Sequence, residues 1–148
     1  MSAEVASSCA LLNLRKASRA VTQLYDNALA PASLRGTQFT LLAAVTFAGE
    51  VTMTHLAEAL VMDRTTLTRN LGPLKRQGLI KVGRGKDRRT QVVAVTQRGR
   101  RLLREAYPLW KQAQSAVVEG LGQRAWKQFL AGLATARSLA RGAKPYQE

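Results

Sequence analysis

Between Asp63 and Asn70 the chain reads Asp-Arg-Thr-Thr-Leu-Thr-Arg-Asn. Guanidinium groups, hydroxyls and an amide packed this closely suit the edges of bases. Arginine holds guanine O6 and N7 in a fork, asparagine does the same for adenine, and a threonine methyl meets the thymine methyl. The candidate readers are Arg64, Thr65, Thr66, Thr68, Arg69 and Asn70. Downstream lies a basic stretch punctuated by glycine, Gly-Arg-Gly-Lys-Asp-Arg-Arg over 83–89. Its candidates are Arg84, Lys86, Asp87, Arg88 and Arg89, since an arginine at a loop tip can enter a narrow, electronegative minor groove. Asp87 can hold Arg89 extended through a charge-assisted hydrogen bond. Thr52 and Lys75 are candidate phosphate contacts. Each piece also has a plainer reading: a solvated helix face with ordinary capping, and a mobile surface loop.

The charge is concentrated where these residues lie. The chain carries +14 in 148 residues, but residues 1–60 hold four basic and four acidic groups and are neutral. Residues 61–104 hold thirteen basic groups against two acids, a net +11. Such a block repels itself and is usually retained because a polyanion neutralises it. Nucleic acid is the leading partner. A membrane surface comes second, but it wants a basic amphipathic helix with an aromatic-rich apolar face. Catalysis finds little to work with. One histidine (His55), one cysteine (Cys9) and nine scattered acids suggest no triad, no paired carboxylates and no metal cluster. No enzyme, metal or cofactor is expected. No run of eighteen apolar residues and no signal-peptide pattern is present, and a lone cysteine forms no internal disulfide. A cytoplasmic, nucleoid-associated protein is the expectation.

The elements that position these residues follow from periodicity. Ala10, Leu14, Ala17, Val21, Leu24 and Ala28 recur at fours and threes, the stripe of a helix. A second helix is predicted over 36–48 with Phe39, Leu42 and Ala43 inward, stopped by Gly49. Thr52 caps a short helix carrying Leu56, Ala57 and Leu60, and a break follows at Val61-Met62. Asp63 caps the next, whose Leu67, Leu71 and Leu74 face inward and whose Pro73 predicts a bend without a full stop. Two strand signals, Leu79–Val82 and Gln91–Val95, flank the basic loop. Thr96 caps a long helix through Trp110 that Pro108 should kink. Glycines at 120 and 122 break it before a last helix with Trp126, Phe129 and Leu133. The fold class is mainly α with a small β-hairpin wing: a winged helix-turn-helix over about 36–97 within one domain of 1–148. Helices over about 8–30 and 98–141 flank it, and 142–148 forms a tail. The terminal stripes would bury best against a second copy, so a homodimer is expected.

Taken together, Thr52–Leu60, Asp63–Leu71, Leu74–Ile80, Asp87-Arg88-Arg89 and Val95–Arg100 resemble the MarR (multiple antibiotic resistance regulator) family across nearly the whole chain. The resemblance implies a homodimer joined by its terminal helices and a palindromic double-stranded DNA operator. Recognition helices would sit in successive major grooves and wings in the flanking minor grooves. Carried over by position, Thr65, Thr66 and Arg69 touch bases and Arg89 enters the minor groove. Many members are repressors released by a small, often anionic effector bound between the dimer helices and the DNA-binding part. Others respond to oxidation of a cysteine in the first helix, which would fall to Cys9. Aligning Arg19–Tyr25 with the peroxide-sensing branch, however, puts the reactive position at Leu11, two residues and about 200° of helix away. Trp110, Trp126, Tyr25 and Phe39 read as core or interface anchors.

Two further alternatives stay open. An RNA-binding protein fits the charge, although residues 61–104 hold no aromatic side chain for base stacking. A non-specific architectural DNA binder needs only cations, which leaves the threonines and the asparagine unexplained.

Overall fold

The computed structural model describes residues 2–87 and 89–142. It divides into two compact units, one through Trp110 and one from Lys111. In the first unit, α1 (Ser2–Ser8) and α2 (Ala10–Leu29) are separated at Cys9, whose backbone is extended (φ −66°, ψ 112°). The separate α1 goes beyond the apolar stripe, which begins only at Ala10. Its seven residues are too few to show a period, and Ser7 and Ser8 bond back to the Glu4 carbonyl.

A 3₁₀ turn (Ala30–Ala32) leads to α3 (Gly36–Ala48). The start of α3 is pinned from outside the helix. The Gly36 N–H donates to the Asp26 carboxylate at 2.6 Å, and the Arg35 N–H donates to Gln38 Oε1 at 2.9 Å. Asp26 thus satisfies an orphan donor and faces the positive end of α3. A β-carbon at Gly36 would lie 3.1 Å from Tyr25 Cβ, so this close approach of α2 and α3 suits glycine. Phe39, Leu41, Leu42 and Val45 of α3 are buried, while Ala43, expected inward, is half-buried.

A two-residue strand β1 (Val51–Thr52) precedes α4 (Met53–Leu60), α5 (Arg64–Arg76), β2 (Ile80–Arg84) and β3 (Gln91–Val95). The sheet is antiparallel in the order β1-β3-β2. The hairpin was legible in the sequence and β1 was not, because two residues carry no alternation. Pairing of Val51 with Val93 ties the front of α4 to the wing. Leu29, Leu42, Val45, Leu67, Leu74, Leu79 and Val93 fill the centre of the core. Phe39 stacks on Trp110 with ring centroids 5.9 Å apart. α5 continues through Pro73, and α6 (Gln97–Leu121) continues through Pro108.

The second unit holds the end of α6 and α7 (Gln123–Gly142), which meet at Gly122 (φ +79°). Trp126 lies against Phe129 with centroids 6.1 Å apart. Among the described residues, no helix is long and apolar enough to cross a membrane.

Two helices in the first unit end in the same closure. After α5, the Gly78 N–H bonds to the Lys75 carbonyl and the Leu79 N–H to the Leu74 carbonyl, with Gly78 at φ +67°. After α4, the Val61 N–H bonds to the Glu58 carbonyl and the Met62 N–H to the Ala57 carbonyl, with Val61 at φ +54°. This closure favours glycine at its left-handed position, and a β-branched residue there is strained. Val61 is 54% exposed, so its side chain gains little packing in return. Val61→Gly is therefore expected to raise stability by roughly 1 kcal/mol after the unfolded-state entropy of glycine is charged against it. Thermal melts at equal protein concentration would show a midpoint about 2–4 °C higher. An unchanged or lower midpoint would mean that the isopropyl group contributes more than the strain costs.

Candidate nucleic-acid interface

α4 and α5 are joined by the short Val61–Asp63 turn, and α5 leads through Gly78 into the β2–β3 hairpin. Both helix starts are capped as the sequence predicts. Thr52 Oγ1 accepts the His55 N–H at 3.2 Å, and Asp63 Oδ1 accepts the Thr66 N–H at 2.8 Å. Thr52, a candidate phosphate contact, is thus first a cap, and it is half-buried.

The orientation of α5 is set by burial of Leu67, Leu71 and Leu74. Successive residues turn about 100° around a helix, so Thr65, Arg69, Gly72 and Arg76 form the line opposite these leucines. Thr65, Thr68, Arg69 and Arg76 are exposed. Arg64, also exposed, opens the helix. Thr66 and Asn70 are half-buried on the flanks. Asn70, expected among the readers, has its Nδ2 3.9 Å from Met62 Sδ, a contact within the fold. Its position in the turn, nearer the leucine stripe than the outward line, accounts for this. Arg76 was not singled out from the sequence; the 65-69-72-76 spacing was the available signal. Lys75 is exposed in the last turn, where it and Arg76 complement the negative end of the helix dipole.

In the wing, Arg84 ends β2 opposite Gln91. The Gly85 N–H bonds to the Thr90 carbonyl at 2.8 Å, and the Thr90 N–H to the Asp87 carbonyl at 2.9 Å. Asp87 Oδ1 accepts the backbone N–H of Arg89 at 3.0 Å. The carboxylate therefore shapes the turn through the Arg89 backbone, where the sequence suggested a grip on the guanidinium. An aspartate bonding two residues ahead is a local turn device, and it wins because it closes the smaller ring. Arg84, Lys86, Asp87 and Arg89 are exposed. Arg88 lies outside the described residues.

Asp63 has a perturbed carboxyl. The Thr66 hydroxyl, and then the Thr66 backbone N–H, hold its carboxyl below the usual value of 3.8. A carboxyl depressed in the folded state contributes stability above its unfolded pKa and loses it as pH falls through the folded value. The stability difference between wild type and Asp63→Asn, which cannot titrate, is therefore expected to stay level from neutral pH down to about 4 and to change only below it. Melts across that range would check it. A difference that already drifts between pH 5 and 7 would contradict the assignment.

Cys9 is half-buried at the α1–α2 break, with its carbonyl accepting the Asn13 backbone and side-chain N–H groups at 3.0 and 2.9 Å. His55 is exposed on α4. A cavity of about 500 Å³ lies beside the end of α5, lined by Ala32, Ser33, Gln77, Leu79, Arg98, Arg101, Leu102 and Glu105.

Two capped helices with a short turn, followed by a basic hairpin, make this a winged helix-turn-helix protein. The MarR family model matches residues 32–90. Among solved structures, the chain is similar to the Mycobacterium tuberculosis transcriptional regulator MosR in complex with DNA. The two share 38% identity with a TM-score of 0.79, over 90% of this chain and 99% of that one. A second MosR structure matches at 34% identity and TM-score 0.79, covering 93% and 99%. The transcriptional repressor CouR bound to a 23-mer DNA duplex matches at 26% identity and TM-score 0.80, covering 90% and 95%. A search of curated proteins finds no match. The chain belongs to the MarR family.

Proposed function

We propose that the protein is a sequence-specific regulator of transcription, a repressor that binds a palindromic double-stranded operator as a homodimer and releases it when a small ligand binds. The observation that carries this reading is the exposed line of Thr65 and Arg69 on α5, held outward by three buried leucines and followed directly by the basic wing. Arg64, Thr65, Thr66, Thr68 and Arg69 face the major groove. Arg84, Lys86, Arg88 and Arg89 reach the minor groove or its phosphates, with Asp87 shaping their turn. Thr52 and Lys75 contact phosphate. Asn70 orients the α4–α5 turn instead of a base.

Dimerisation is supported by apolar side chains left open on the terminal helices. Leu11 and Leu14 of α2 are 67% and 44% exposed, and Leu130 and Leu139 of α7 are 45% and 70% exposed. Surface of this kind marks association sites. The Arg98 and Arg101 cavity is the candidate effector site, and it suits a small anion with an apolar body. Occupancy beside Gln77 and Leu79 acts where α5 ends.

The test is a titration of the protein against its own upstream intergenic DNA and a scrambled duplex of equal length, at several salt concentrations. A preference of about a thousandfold for the native fragment is expected. Equal and steeply salt-dependent affinities for both would replace the reading with non-specific binding.

A further inference from the structure

Two hydroxyls on the recognition face are already committed within the protein. Thr66 Oγ1 donates to Asp63 Oδ2 at 2.6 Å, while the other oxygen of that carboxylate accepts the Thr66 backbone N–H at 2.8 Å. Thr68 Oγ1 donates to the Arg64 carbonyl at 2.8 Å. A hydroxyl carries one proton, so neither threonine keeps one for a base. Threonine is branched at Cβ and stiff about χ1. Turning its oxygen back along the helix places the γ-methyl at another staggered position on Cβ. Thr65 differs: it is exposed and makes no side-chain hydrogen bond among the described residues.

We propose that Thr66 and Thr68 contribute to operator specificity through their methyl groups, by packing on thymine C5-methyls, with the Thr66 hydroxyl taken up by Asp63. This inference rests on the DNA-binding reading above. It divides the labour on α5: Thr65 and Arg69 form hydrogen bonds with base edges, while Thr66 and Thr68 read the one apolar feature of the major groove. The Asp63 carboxyl, held below its usual range by the same Thr66 hydroxyl, remains an acceptor at neutral pH.

The test alters the DNA before it alters the protein. Each thymine of the protected operator is replaced singly by deoxyuridine, which removes only the C5-methyl, and affinity is measured for the full chain. At least one position per half-site is expected to lose about fourfold, the worth of one buried methyl-sized group. Thr66→Ser and Thr68→Ser keep the hydroxyl and its bond but lose the methyl. Each should be blind to deoxyuridine at one position. Thr66→Val and Thr68→Val keep the branched shape and should retain the wild-type sensitivity. Valine variants that lose thymine discrimination while serine variants keep it would overturn the proposal, as would wild-type indifference to every deoxyuridine. If the wild type fails to distinguish the native fragment from the scrambled one, the DNA-binding reading itself falls, and this proposal with it.

Discussion

Arg69→Ala is expected to weaken binding to the protein's own operator by about ten- to a hundredfold and to leave binding to a scrambled duplex nearly unchanged. The asymmetry follows from where the side chain sits. Arg69 is exposed on the line opposite Leu67, Leu71 and Leu74, whose burial aims it. A guanidinium at that position would fork onto a guanine edge, which a scrambled sequence would not present in register. The substitution removes no packed surface, so the melt should move by little; exposed positions of this kind usually stay within about 0.5 kcal/mol. Arg69→Lys should fail to restore the affinity, since an ammonium cannot reproduce the planar fork. Arg84→Ala in the wing provides the contrast. Loss of a phosphate contact lowers affinity for both duplexes and reduces the slope of log affinity against log salt by about one. Equal losses on both duplexes for Arg69→Ala would show that Arg69 is a phosphate contact and move base readout elsewhere on the helix.

Gly99→Ala should have the largest effect on the fold. Gly99 is buried in the first turn of α6, and its backbone N–H donates to Thr96 Oγ1 at 3.0 Å. The same Thr96 hydroxyl lies 2.7 Å from the Gly78 carbonyl and 3.1 Å from that of Leu79, and the Thr96 N–H donates to the Leu79 carbonyl at 3.0 Å. The end of the recognition helix, the exit of the wing and the start of α6 therefore converge on a few atoms. A β-carbon on Gly99 would fall inside the Leu79 carbonyl oxygen and 2.8 Å from Val95 Cγ2. The Leu79 oxygen is backbone already bonded to the Thr96 N–H, and Val95 Cγ2 is a methyl of a buried, β-branched side chain on paired β3, so neither yields as the tip of a flexible side chain would. Overpacking usually costs about 1–3 kcal/mol, and a clash with backbone belongs at or above the upper end. Against a total stability of about 5–15 kcal/mol, that is a large share. A fall of roughly 10 °C in the melting midpoint is expected at fixed protein concentration, or failure to accumulate folded protein. A midpoint within about 2 °C of wild type would mean that the α6 start shifts freely and that wing and recognition helix are only weakly coupled.

Much of this is legible in the amino-acid sequence. Alternating fours and threes of leucine and alanine placed the long helices, because a side chain must recur every 3.6 residues to stay on one face. Thr52, Asp63 and Thr96 announced the starts of α4, α5 and α6, because a cap bonds only two or three residues ahead and is a local event. The thirteen basic groups within 61–104 marked the polyanion-binding region. What the sequence could not settle depends on contacts between distant segments or on which of several local partners wins. Strand β1 exists only because Val93 lies across from Val51. Asn70 faces Met62 because its place between two faces of α5 became meaningful only once the leucines had a core to enter. Asp87 bonds the Arg89 backbone instead of its side chain. The commitment of the Thr66 and Thr68 hydroxyls, and with it the chemistry left for a base, was likewise decided by the folded helix. Periodicity and capping are written within one or two helical turns, whereas a polar side chain's partner is fixed by the competition among every group that folding brings within hydrogen-bonding reach.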